Sequence, residues 1–196
     1  MVKTLLKEVK EYKKDTFLSP VYVSIEAILE VCIPFLMAIL VDNGIEKGNM
    51  KSIWFYGFLM LVAAFVSLWA GAKSGKHAAI ASSGFAKNLR KAEYRKIQEF
   101  SFSNVDAYST SGLITRMMTD VTNIQNAYQM MIRVCVRAPL MLIASLVMAF
   151  IINKEMAMIF VAAVLVLGVV LFGIIFIVSP IFSRLFSQYD LLNASI

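Results

Sequence analysis

Four stretches of this chain are apolar almost without interruption, and the longest segment between them carries apolar residues at helical spacing. Residues 17–41, 53–72 and 156–178 form runs of 25, 20 and 23 positions. A helix needs about 20 to cross the hydrocarbon of a bilayer. A fourth run, 138–152, has 15 positions and reaches spanning length only by drawing in residues back to Arg133. The pattern predicts an all-α membrane protein, a polytopic helical bundle with spans at 17–41, 53–72, 133–152 and 156–178. The first run exceeds a signal-peptide core and lacks a small-residue cleavage site, so it is read as retained.

The segments between the runs are unequal. Residues 1–16 set Val2, Leu5, Leu6 and Val9 on one helical face and Lys3, Lys7, Lys10 and Lys14 on the other. The pattern is read as a short interfacial elbow helix, the alternative being a disordered basic tail. Asp42-Asn43-Gly44 predicts a turn, and Asn153-Lys154-Glu155 is barely long enough to be one. Residues 179–196 are amphipathic and are read as the start of a second cytoplasmic loop. Residues 73–137, by contrast, run for 65 positions without a proline. Phe85, Leu89, Ala92, Ile97 and Phe100 recur near helical spacing, and polar residues then gather at 102–106. The pattern resumes with Ile114, Met117, Val121, Ile124, Tyr128, Met131 and Cys135, alternating steps of 3 and 4. That regular seam is what two helices use to pack lengthwise, with Ser111 as the expected N-cap. Spans two and three thus continue beyond the membrane as a helical pair joined by a polar tip, a projection of about 40 Å at helical rise.

Composition agrees, with 59% hydrophobic and 16% charged residues. The net charge of +6 raises nucleic acid as a partner, but its distribution excludes that reading. Sixteen Lys or Arg precede the first run, lie between 73 and 137, or follow the last run, whereas only Lys47, Lys51 and Lys154 fall in the two short loops. Under the positive-inside rule this places the N-terminus and residues 73–137 in the cytoplasm of a cell-membrane protein. Cys32 and Cys135 lie in or beside spans and suggest neither a disulfide framework nor a metal site.

Gly71-Ala72-Lys73-Ser74-Gly75-Lys76-His77 superficially resembles a phosphate loop. It has three residues between its glycines instead of four, and His77 stands where Ser or Thr is required. Gly71 and Gly75 read better as a small-residue face for close helix packing. Glu26 and Glu30 are the unusual residues, one turn apart inside the first span. Carboxylates at that depth cost a few kcal/mol and should face a partner or a wet cavity. By helical rise Glu26 lies ~13 Å deep and Arg137 ~6 Å deep, within reach of long side chains. The expectation is an intramembrane ion pair between Glu26 and Arg137, with Glu30 left facing a cavity and available to cationic substrates. Pro34 lies one turn further on.

The tip and seam resemble the first cytoplasmic loop of ATP-binding-cassette (ABC) exporters, which often reads S-T-[GS]-x-L-I-[ST]-R-x-x-N-D-V. Here Ser109-Thr110-Ser111-Gly112-Leu113-Ile114-Thr115-Arg116 leads to Met117-Met118-Thr119-Asp120-Val121, with Thr119 in place of Asn. Ile25-Glu26-Ala27-Ile28-Leu29-Glu30 with Pro34, Asp42-Asn43-Gly44-Ile45 and Val136-Arg137-Ala138-Pro139 resemble the heterodimeric multidrug branch. The resemblance implies a partial type 1 transmembrane domain with four of six spans, an N-terminal piece of a longer subunit. It also implies a coupling helix near 105–111, with Asp106, Ala107, Tyr108, Ser109, Thr110 and Ser111 docking on a nucleotide-binding domain. ATP and Mg2+ are expected in that domain and no cofactor in this chain. The implied partners are the bilayer, a second exporter half (a heterodimer or a homodimer) and a small amphipathic substrate. The reading from a different class is a four-span scaffold whose helical loop binds a cytosolic protein.

Overall fold

The computed structural model describes residues 7–100 and 110–194, with side chains up to 180 except those of Thr110, Ser111, Leu113 and Arg116. Among these residues the chain is helical, with no strand. It divides into two compact units, Met1–Ala144 and Ser145–Ile196.

The first unit opens with a 3-10 turn, Lys7–Tyr12, in which Lys10 takes a positive φ of 39°. Helix α1, Lys13–Leu40, follows and passes without interruption through Pro20 and Pro34. Each proline removes one helical hydrogen bond, and at Pro34 the carbonyl left over belongs to Glu30. The Ser24 hydroxyl donates to the Pro20 carbonyl at 2.7 Å. A π-helical turn, Val41–Ile45, then leads into a tight connection where Gly48 adopts φ 62°, a conformation that favours glycine. Asn49 caps the next helix through its side chain, which accepts from the Lys51 amide at 3.2 Å.

That helix, α2, runs from Met50 to Gln98, 49 residues, or ~74 Å at helical rise. It passes straight through 71–77, so the backbone N–H groups there are spent inside the helix, and this chain offers no phosphate cradle at that point. Small residues let α1 and α2 approach closely. Ser19 and Ser74, both fully buried, exchange hydrogen bonds, each hydroxyl donating to the other's carbonyl at 3.2 and 3.1 Å.

From Thr110 onward, α3 (Thr110–Thr115) leads through a π-helical turn, Arg116–Asp120, into α4, Val121–Ile152. The helix has already begun at Thr110, so Ser111 lies inside it and is not the N-cap that its side chain suggested. The core of the unit joins Val9, Ala78, Ala81, Phe85, Ala86, Leu89, Val121, Tyr128 and Ile132. Val9 is therefore packed on α2 instead of facing lipid; Val2, Leu5 and Leu6 lie outside the described residues. The seam on α4 also differs from expectation. Val121, Tyr128 and Ile132 are buried, while Met131 is 54% exposed.

In the second unit Asn153 caps α5, Lys154–Ala194, its side-chain oxygen accepting from the amides of Glu155 and Met156 at 2.9 and 3.2 Å. Described residues of α5 are apolar all round and largely exposed, the pattern of a helix solvated by lipid. Among the described residues, four helices are long and apolar enough to span a membrane: Lys7–Ile45, Met50–Gln98, Met117–Ile152 and Lys154–Pro180.

Candidate functional site

Glu26 and Glu30 share one face of α1 because they are four residues apart, and that face looks toward α4. There Arg137 meets both. Its Nη1 donates to Glu26 Oε1 at 3.0 Å, and its Nη2 donates to Glu30 Oε1 and Oε2 at 2.8 and 2.7 Å. The expectation that Arg137 serves Glu26 and leaves Glu30 unpaired is corrected: both Glu30 oxygens are engaged. The physical reason is that a planar guanidinium presents donors on two sides, so one arginine can bridge two carboxylates spaced by a helical turn. The Glu26 and Glu30 side chains are 12% and 32% exposed, and the three groups formally carry one excess negative charge.

Helix α2 supplies the third wall. A Cβ added at Gly71 would stand 2.9 Å from Glu26 Oε1, so the glycine makes room for the carboxylate itself. Gly71 was expected as packing surface; what packs on it is the charge. Glu26, Glu30, Ile33, Ala64 and Ser67 line a cavity of about 480 Å³ here. Glu26 Oε2 is buried without a hydrogen-bond partner among the described residues.

Toward the N-terminal end of α1, polar bridges replace the ion cluster. His77 Nδ1 lies 2.7 Å from Asp15 Oδ1, and the imidazole stacks on the Tyr22 ring at 5.6 Å. His77 thus belongs to the α1–α2 interface; its distance in sequence from Asp15 hid the pairing. The Tyr128 and Thr16 hydroxyls share a hydrogen bond of 2.8 Å, while the Tyr128 ring tilts against Phe85 at 4.7 Å. Ser82 donates to Gln129 Oε1 at 3.2 Å, and the Asn88 amide donates to the Glu8 carbonyl at 2.9 Å. A Cβ on Gly84 would overlap the Tyr12 ring, so that glycine too is set by a neighbour.

Near the tip, Arg90 clasps the π-helical turn, donating to the Met117 carbonyl at 3.4 Å and to Thr122 Oγ1 at 3.3 Å. Beside it, burial and then the charge of Asp120 raise the pKa of Glu93, against the opposing pull of Arg90. Of the expected docking residues, Asp106, Ala107, Tyr108 and Ser109 lie outside the described residues. Thr110 and Ser111 stand in the first turn of α3.

Four spanning-length helices among the described residues, two of them prolonged by charged helical extensions, define a polytopic helical membrane protein. A sequence profile of the ABC transporter transmembrane region matches residues 16–196, and the chain belongs to that family. It is 35% identical over 131 residues to the uncharacterised ABC transporter ATP-binding protein YfiB of Bacillus subtilis (strain 168), covering 67% of this chain and 23% of that protein. An uncharacterised ABC transporter ATP-binding protein of Mycobacterium tuberculosis (strain ATCC 25618 / H37Rv) is 26% identical over 201 residues, covering 98% and 33% respectively. The ATP-dependent lipid A-core flippase of Albidiferax ferrireducens is 26% identical over 140 residues, 71% of this chain and 24% of the flippase. The chain thus spans between about a quarter and a third of the length of these relatives.

Proposed function

We propose that this chain is the membrane portion of an ATP-driven exporter of lipophilic compounds in a bacterial cell membrane. The N-terminus and the charged halves of α2 and α4 face the cytoplasm. The observation that supports this best is the length of α2: its ~74 Å exceed the ~30 Å hydrocarbon by far, and the excess carries the basic residues. A rigid extension of that kind transmits a push from a cytoplasmic nucleotide-binding domain, where ATP and Mg2+ are bound, to the spans. A second exporter half, in a heterodimer or a homodimer, completes the cavity. Multidrug efflux is the finer reading, supported by the resemblance of the α1 motifs.

In this reading Asp106, Ala107, Tyr108, Ser109, Thr110 and Ser111 form the docking tip. Replacing Tyr108 and Ser109 with glycine in the full-length protein should leave membrane insertion intact. ATP hydrolysis should then continue without substrate-dependent stimulation, and export in vesicles should fall at least tenfold. Normal coupled transport in that variant would remove the tip from the mechanism.

A further inference from the structure

Between α1 and α4 lies a gap of about 560 Å³, bordered by one stripe of α4 and by Val23 of α1. Positions 126, 130, 133 and 137 bring one stripe of α4 to it, as helical periodicity requires. Arg137 at one end is taken up by the two glutamates. Arg133, one turn earlier, is not: no described carboxylate lies within ion-pair range of it, although its side chain is partly buried and lies against Gly75. Asn126 makes no hydrogen bond to a described residue, and Gln129 uses its oxygen to accept from Ser82, leaving its amide nitrogen as a donor. The polar side of the gap therefore offers the Arg133 guanidinium and two side-chain amide donors, with the Asn126 Oδ1 left as an acceptor. Its apolar surface comes from Val23 across the gap and from Met130 and Val134 on α4 itself.

We infer that this gap binds an anionic amphiphile, its phosphate or carboxylate on Arg133 with the Asn126 and Gln129 amides, and its tail along Val23, Met130 and Val134. A guanidinium prefers planar, bidentate oxyanions. A partly buried cation without a partner is expensive, so an anion that arrives already carrying apolar surface is the ligand that offsets both exposures. No carboxylate lines this gap, so a cationic ligand finds no counter-charge in it. Under the exporter reading, the amphiphile is a cargo class, but the binding itself is read without turnover.

The test uses the full-length protein in phosphatidylcholine nanodiscs, without ATP, titrated with dilauroyl phosphatidic acid or uncharged dilauroylglycerol and read by native mass spectrometry. Wild type should retain the phosphatidic acid at about tenfold lower concentration than the glycerol, the scale of one charged hydrogen-bonded contact. Arg133→Ala should abolish that preference and Arg133→Lys should restore part of it. Val134→Trp, at an exposed position, should fill the gap and lower retention with every charge in place; it carries the test if Arg133→Ala does not fold. Competition by inorganic phosphate would assign the site to the free anion, and lack of competition to the anchored headgroup. Equal retention by Arg133→Ala or Val134→Trp, or equal binding of the uncharged lipid, would overturn the inference. Because ATP is absent, failure of the exporter reading leaves this result standing.

Discussion

Arg137 holds two carboxylates at once, and that changes what its loss should do. Removing the guanidinium leaves the mostly buried Glu26 and the part-buried Glu30 uncompensated between apolar helices, and a stranded carboxylate there is destabilising. Arg137→Ala should therefore reduce the folded yield and lower the thermal midpoint in detergent. Adding Glu26→Gln alone should recover only part of the loss, because Glu30 still faces no cation; adding Glu30→Gln as well should recover most of it. Full recovery with Glu26→Gln alone, measured by fluorescence size-exclusion chromatography, would show that the Glu30 contact contributes nothing. The acidic residues and the arginine were legible in the sequence as charges at the wrong depth. The two-sided bridging was not, because spacing along α1 shows that two carboxylates share a face but not how far one guanidinium reaches. Gly71 was legible only as a small residue, since what it accommodates lies 45 positions away in the chain.

Long helices with charged extensions followed directly from the apolar runs and the proline-free segment, and both are present in α2 and α4. The register of their contact was harder to read. Steps of 3 and 4 describe a 3.5-residue repeat, whereas a straight α-helix turns every 3.6 residues and drifts off such a seam by about 20° per heptad. After Val121 and Tyr128 the contact accordingly passes to Ile132, leaving Met131 outside. The N-terminal segment diverged for a related reason: amphipathicity shows which face of 1–16 is apolar but not whether lipid or α2 covers it, and Val9 is covered by α2. Two substitutions separate the registers. Ile132→Ala empties a packed position and should cost ~2–5 kcal/mol. Met131→Ala, on the exposed side, should stay within about 0.5 kcal/mol. Thermal denaturation of the two variants in the same detergent reads the difference, and a larger loss at Met131 would restore the 3.5-residue seam.

For the molecule as a whole, the charge distribution carries a statement that the helices alone do not: which side each connection faces. Sixteen of the nineteen Lys and Arg lie on one side of the four spans if the chain runs in-out-in-out-in, and the three on the other side sit in two short loops. Positive charge near span ends is retained on the cytoplasmic side, with short loops obeying most strictly. The Gly48 turn and the Asn153 cap make both lightly charged connections tight. Long translocated segments, which escape the rule, are therefore not at issue on that side. We propose the N-in orientation on this ground. In a background with Cys32 and Cys135 replaced, Lys47→Cys should react with a membrane-impermeant maleimide added to intact cells. Lys91→Cys, on the charged half of α2, should react only after the membrane is opened. Both positions are exposed, so burial does not protect either. Labelling of Lys91→Cys from outside, with Lys47→Cys silent, would invert the topology and place the tip where no cytoplasmic ATPase could reach it.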